Sequence, residues 1–221
     1  YAISLNNHGG AWAGTAWDDS SSVHNNLTVP EMAAVFNRAL QEVGRSRFDL
    51  LINDSCLMSS MENFAGISSY FDYAFSSPEI MNNPGFNMTT LVETLNQQPE
   101  IEIPVLGQIV ADRYMQDMNT SMPGMATYMG VGITNLREFP NLVNALNTFT
   151  AVIDTKPESY TALLGRVRAN TYTYSTWAGS NDSVDVGNFM GRIVSSTADS
   201  EVRKKKKNVL ARSKLPLLVL H

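Results

Sequence analysis

The chain has 221 residues, 43% hydrophobic and 17% charged, which suits a sizeable buried core and excludes a disordered segment. Its net charge of −5 is unevenly spread: seven of 16 basic residues fall within 203–214, leaving nine against 21 acidic residues over 1–202. An acidic body argues against nucleic acid as a partner, one cysteine excludes an intrachain disulfide, and no apolar run approaches the roughly 20 residues of a membrane span.

Tyr1-Ala2-Ile3-Ser4-Leu5 predicts a first strand that ends in Asn6-Asn7-His8-Gly9-Gly10. Opening inside a strand pattern without an initiator Met, the chain reads as a fragment of a longer one. A Gly-rich loop is expected over 9–26. Thr28-Val29-Pro30-Glu31 then has the form of a capping box. Met32, Val35, Phe36, Ala39, Leu40 and Val43 follow at helical spacing, and Gly44 supplies the stop. Residues 48–55 predict a second strand, ending at Cys56. A strand–helix–strand crossover makes the two strands parallel.

A helix is expected to begin directly after Cys56, over 57–65, and to lead into a short strand at 72–76. Asn82-Asn83-Pro84-Gly85 signals a turn. Helices are expected over 88–97 and 104–118, a buried strand over 126–134, and further helices near 135–154, 157–170 and 185–195. A closing strand is expected at 215–220. The basic run at 203–207 reads as a solvated helix face near a helix end, where cations suit the dipole. Strands alternating with helices imply an α/β layer structure, and with no repeat or linker in sight, a single domain over 1–221.

Two predicted strand ends each deliver one reactive side chain, His8 and then Cys56, 48 residues later. Parallel α/β sheets place their sites beyond the carboxyl ends of the strands, so neighbouring strands would bring both to one edge. A thiol near its free pKa of about 8.5 is mostly protonated at neutral pH, and an imidazole is the natural group to activate it. A helix starting just after Cys56 would aim its positive end at the sulfur. Gly9 offers an unobstructed N–H, which with that of Cys56 would make an oxyanion hole. Each residue alone has an ordinary structural reading, since lone Cys and His are often buried or hydrogen-bonded core residues. His24, in the loop Ser-Ser-Val-His-Asn-Asn, is the rival candidate base and ranks behind His8, and His221 is terminal.

Asn7-His8-Gly9-Gly10-Ala11-Trp12, Trp17-Asp18-Asp19, Leu27-Thr28 and Asp54-Ser55-Cys56-Leu57-Met58 together resemble the clostripain family of cysteine peptidases, peptidase family C11 of the caspase-like clan. The spacing also matches the caspase pattern, in which the His lies about 50 residues before the Cys. The resemblance implies an N-terminally truncated, caspase-like αβα sandwich with a mostly parallel sheet. It implies a His8–Cys56 catalytic dyad and hydrolysis of peptide or protein substrates after Arg or Lys. It also implies a secreted or cell-envelope location.

A basic side chain before the scissile bond needs an acidic pocket. Asp54 matches the acid the family places two residues before the nucleophile; its other reading is a cap for the following helix. No acid accompanies Pro84-Gly85-Phe86-Asn87, where relatives carry a second one, so Glu79 is the substitute candidate. No cofactor is required, although Asp18 and Asp19 leave calcium open and loop acids are the plainer reading. Trp12 and Trp17 either wall a substrate cleft or pack the His loop onto the sheet edge. Two rivals share the scaffold: a catalytically silent protein-binding module, and a thiol acyltransferase with an amine acceptor.

Overall fold

The structure is a computed structural model, and it describes residues 1–18, 20, 25–124, 129–174 and 183–213. These group in two compact units, one from Tyr1 to Arg137 and the other from Glu138 onward.

The first unit is built on a four-stranded sheet. Strand β1 (Ala2–Asn6) is followed by a hairpin of β2 (Thr15–Asp18) and β3 (Asn25–Leu27), then helix α1 (Val29–Glu42) and strand β4 (Phe48–Asp54). Helix α2 (Met61–Ile67) leads to β5 (Phe71–Ser76), and helices α3 (Met88–Gln97) and α4 (Ile103–Ser121) lead to β6 (Gly132–Asn135). The sheet order is β1-β4-β5-β6, with the first two pairings parallel and the last antiparallel. Both parallel crossovers step the same way across the sheet, so right-handedness puts α1 and α2 on one face. Val29 of α1 meets Gly66 of α2 so closely that a Cβ on Gly66 would lie 2.2 Å from a Val29 methyl. On the other face Leu50, Ile52 and Phe75 pack with Leu91 of α3 and Leu106, Val110 and Tyr114 of α4. The result is the expected αβα layering with a mostly parallel sheet.

Local chemistry sets the elements. At α1 the capping box forms in full, the Thr28 hydroxyl accepting from the Glu31 N–H while the Glu31 carboxylate accepts from the Thr28 N–H. The predicted helix at 88–97 has those bounds, with Asn87 accepting from Thr90 N–H as its cap.

Three expectations need correction. Residues 9–26 are not one loop, because β2 and β3 pair within them. Helix α2 does not follow Cys56 directly: Leu57 to Ser60 intervene, and Ser60 caps it by accepting from Asn63 N–H. The strand expected over 126–134 forms later, at β6, where it pairs antiparallel to β5; 125–128 lie outside the described residues.

The second unit is helical: α5 (Phe139–Asp154), α6 (Pro157–Ala169), α7 (Val186–Ser196) and α8 (Ser200–Ser213). Phe149, Ile153, Leu163, Val167, Met190 and Ile193 form its core. Asp199 opens α8, its carboxylate accepting from the Glu201 and Val202 N–H groups and from the Tyr160 hydroxyl. The basic run therefore starts in the first turn of α8, where the dipole disfavours cations. Its neighbours Asp199 and Glu201 supply the negative charge that suits that end. The expected strand at 215–220 lies outside the described residues.

Candidate active site

Strands β1 and β4 run in register to their ends, Asn6 opposite Asp54. His8 and Cys56 each lie two residues past that last pair, so topology alone delivers both to the carboxyl edge of the sheet. Their loops then touch backbone to backbone. A Cβ placed on Gly9 would lie 2.2 Å from the Cys56 carbonyl oxygen and 3.1 Å from the Cys56 nitrogen. Only glycine permits that approach.

The His loop is tied down by a residue that the sequence reading passed over. Thr15 is fully buried; its hydroxyl lies 2.8 Å from the His8 carbonyl, to which it donates, and 3.4 Å from the Ser55 hydroxyl. Gly9 pairs with Thr15 in an antiparallel bridge whose bonds run through flanking residues: Ala16 N–H to His8 O (3.1 Å) and Gly10 N–H to Gly14 O (2.9 Å). The hairpin therefore does not consume the Gly9 N–H. His8 itself is exposed. A buried threonine in a Gly-rich loop carries no local signal for such a role.

Cys56 is a free cysteine, only 6% exposed. Met81 N–H donates to Sγ at 3.2 Å, and Sγ lies 3.7 Å from the Met81 carbonyl oxygen. Leu57 follows in the left-handed region at φ +63°, a conformation that costs a non-glycine residue about 1–2 kcal/mol. Main-chain bonds from Leu57 N–H to Glu79 O (3.0 Å) and from Ser59 N–H to Ser77 O (3.0 Å) hold that turn. With α2 displaced to Met61 and only seven residues long, the helix-dipole contribution to the sulfur expected from the sequence is withdrawn.

Asp54 is nearly buried. Its Oδ1 accepts from Phe86 N–H at 3.0 Å and its Oδ2 from the Asn6 side-chain amide at 2.6 Å. The carboxylate lies flush against Gly85, whose φ is +80° and where a Cβ would sit 2.5 Å from Oδ1. The helix-cap reading of Asp54 is thereby replaced: Ser60 caps α2, and Asp54 joins the ends of β1 and β4 to the 85–86 turn. Glu79 is also buried, with its main chain serving Leu57 and Ser77. Tyr114 lies beneath this loop, its ring edge-on to Phe86 with centroids 5.5 Å apart. Burial pushes the Tyr114 hydroxyl up to about 12, with the charges of Asp54 and Cys56 adding to the shift and a backbone hydrogen bond with Asn82 opposing it.

Desolvation raises the Asp54 carboxyl above its ordinary value, against the lowering effect of Phe86 N–H and the Asn6 amide. A folded value above the unfolded one means the native state holds the proton more tightly. That stability is complete below the ordinary carboxyl range and is lost as pH rises through the folded value. The melting temperature of the parent minus that of Asp54→Asn, whose amide can replace only one of the two accepting oxygens, is therefore expected to fall as pH rises from about 3 to about 7. Thermal unfolding of both proteins at the two pH values measures this, and a difference that stays constant or grows with pH would contradict it.

Asp18 spends one carboxylate oxygen on Ser20, accepting from its N–H at 2.9 Å and its hydroxyl at 2.5 Å, which holds the Asp18 carboxyl below its ordinary range. Its candidate calcium partner Asp19, like His24 and His221, lies outside the described residues. Among the described residues no group of three His, Cys, Asp or Glu is placed to hold a metal ion, and no helix is long and apolar enough to cross a membrane. The two tryptophans divide: Trp17 packs against Gly10, whereas Trp12 is exposed.

Among solved structures, the fold is similar to a secreted C11 cysteine protease from Bacteroides thetaiotaomicron in complex with an irreversible peptide inhibitor. That match has a TM-score of 0.63 and 16% identity, over 95% of this chain and 55% of that one. A B. fragilis cysteine protease matches with a TM-score of 0.57 and 18% identity, over 87% and 75% of the two chains. An inactive zymogen C11 protease from Parabacteroides distasonis matches with a TM-score of 0.57 and 15% identity, over 99% and 54%. The chain thus spans about half the length of the first and third of these structures. No curated protein matches it. The sequence profile of the clostripain family, peptidase family C11, matches residues 1–219, and with that match the chain belongs to the clostripain family.

Proposed function

We propose that the chain carries the catalytic centre of a cysteine endopeptidase, with Cys56 as nucleophile and His8 as its acid–base partner. The observation that carries this reading is the backbone contact between Gly9 and Cys56 at the common end of β1 and β4. His8 takes the thiol proton, and the sulfur attacks the scissile carbonyl. The resulting oxyanion is met by the N–H groups of Gly9 and Cys56. His8 then returns the proton to the departing amine, leaving a thioester that water hydrolyses with His8 as base. These steps need no cofactor.

Asp54 is the proposed acid for a Lys or Arg side chain before the scissile bond, with Glu79 as a second contributor. Asn6 and Phe86 fix Asp54 with neutral donors, and among the described residues no cation pairs with it. A buried carboxyl raised by desolvation, with no cation beside it, is the pattern expected of a functional group. The family profile runs across both compact units, which supports treating residues 1–221 as one peptidase domain. The secreted Bacteroides relative supports an exported location.

Two peptides that differ only in Lys or norleucine before the scissile bond test the reading. The Lys peptide is expected to be cleaved at least about 100-fold faster, and His8→Ala to lose at least about 100-fold of that rate. Equal cleavage of the pair would remove the basic preference, and an unaffected His8→Ala would remove the dyad.

One observation favours a second reading. The near burial of Cys56 under Met81 fits a silent binding module that has kept the scaffold. Covalent labelling of Cys56 by an electrophilic peptide separates the two.

A further inference from the structure

Trp12 is the most exposed of the described large apolar side chains, at 73%. Its neighbour Ala11 goes the other way, packing in a cluster with Cys56 and Leu57 that also takes in half-buried Ile80 and Met81. The indole is therefore carried one residue away from a side chain packed in the same cluster as Cys56. Single exposed apolar residues are ordinary on protein surfaces. What distinguishes Trp12 is how firmly its carrier is held.

It sits in a 3-10 turn at Ala11–Ala13, closed by Gly10 N–H to Gly14 O (2.9 Å) and Ala13 N–H to Gly10 O (3.0 Å). The Asn26 side-chain amide donates to Ala13 O at 2.6 Å and ties the turn to β3. Trp17 lies against its other side, so that a Cβ on Gly10 would meet the indole at 2.6 Å. Ala11 adopts φ +55°, a left-handed conformation that alanine rarely takes. Strained backbone beside a reactive group, held by this many contacts, belongs to a ligand clamp more than to a passive loop. A rigid indole loses little conformational freedom when it is covered by a partner.

We propose that Trp12, together with Ile80 and Met81, forms an apolar subsite beside Cys56 that selects peptides with a bulky apolar side chain flanking the residue at the scissile bond. This rests on the peptidase reading and extends it from the basic residue to its neighbours. The acids Asp54 and Glu79 are buried, whereas Ile80 and Met81 are half-buried against the Cys56 cluster and Trp12 stands exposed one residue from Ala11, a member of it.

The test uses two peptides with the same Lys before the scissile bond, flanked by Leu or by Ala. The Leu peptide is expected to have about a tenfold higher kcat/KM, carried mainly by KM. Trp12→Ala is expected to erase that ratio and Trp12→Phe to keep most of it. Binding of both peptides to the Cys56→Ala protein, followed by fluorescence anisotropy, separates the two layers of the proposal. If neither peptide is hydrolysed but Leu-peptide binding is tighter and depends on Trp12, the subsite stands and the peptidase reading fails. A Leu-to-Ala ratio unchanged by Trp12→Ala, or no Leu preference in either assay, overturns the subsite.

Discussion

Cys56→Ala is expected to lower peptide hydrolysis by at least about 10⁴-fold, to the level left by binding and the oxyanion donors alone. The substitution removes the one sulfur able to form the thioester and no other thiol exists in the chain to replace it. Its structural cost is modest. Met81 N–H loses its acceptor and a small cavity opens, together worth about 1–3 kcal/mol. Loss of activity in a protein that still unfolds cooperatively, read by urea denaturation, separates chemistry from folding. Retained hydrolysis would remove Cys56 from the mechanism.

Gly9→Ala is the second large effect, and it comes from backbone contact where Cys56→Ala acts through chemistry. The new methyl would lie 2.2 Å from the Cys56 carbonyl oxygen and 3.0 Å from the Met58 side chain. The first of these is main chain at the end of a buried strand, with no flexible tip to swing away. The His8 and Cys56 loops must therefore separate by on the order of 1 Å, which costs about 100-fold in rate when it falls between reacting groups. Overpacking adds about 1–3 kcal/mol of destabilisation. Gly165→Ala in α6 is the control: nothing lies within 4 Å of a Cβ there, so a gain of up to about 1 kcal/mol in stability is expected. Denaturation midpoints and kcat/KM for the pair check both statements; full activity in Gly9→Ala would mean the apposition is not needed.

Local signals in the sequence were read well. The capping box of Thr28 and Glu31, the stripe of α1 and the bounds of α3 all depend on residues within a few positions of one another. The two strand ends were also legible, because apolar runs stop visibly at Asn6 and at Asp54. Long-range chemistry was not. Asp54 finds its partners at Phe86 and Asn6, Thr15 at His8 and Ser55, and Cys56 at Met81, and none of these spacings has a local signature. The late start of α2 has a cause in the residues that precede it. Ser60 is free to cap, whereas the hydroxyl and N–H of Ser59 are engaged with Ser76 and Ser77, and Leu57 is committed to a left-handed turn that no helix can begin with. The basic run lies in a helix, as its composition implies, but at the opposite end from the one the dipole favours, since Asp199 and Glu201 mark the start of α8.

The most direct measurement is reaction of the folded protein with an electrophilic peptide ending in Lys, followed by peptide mapping in the mass spectrometer. A nucleophile set opposite His8 is expected to give a single thioether on Cys56, formed slowly or not at all in His8→Ala. An unlabelled Cys56 in the native protein, under conditions where the same thiol alkylates readily once the chain is unfolded, would contradict it.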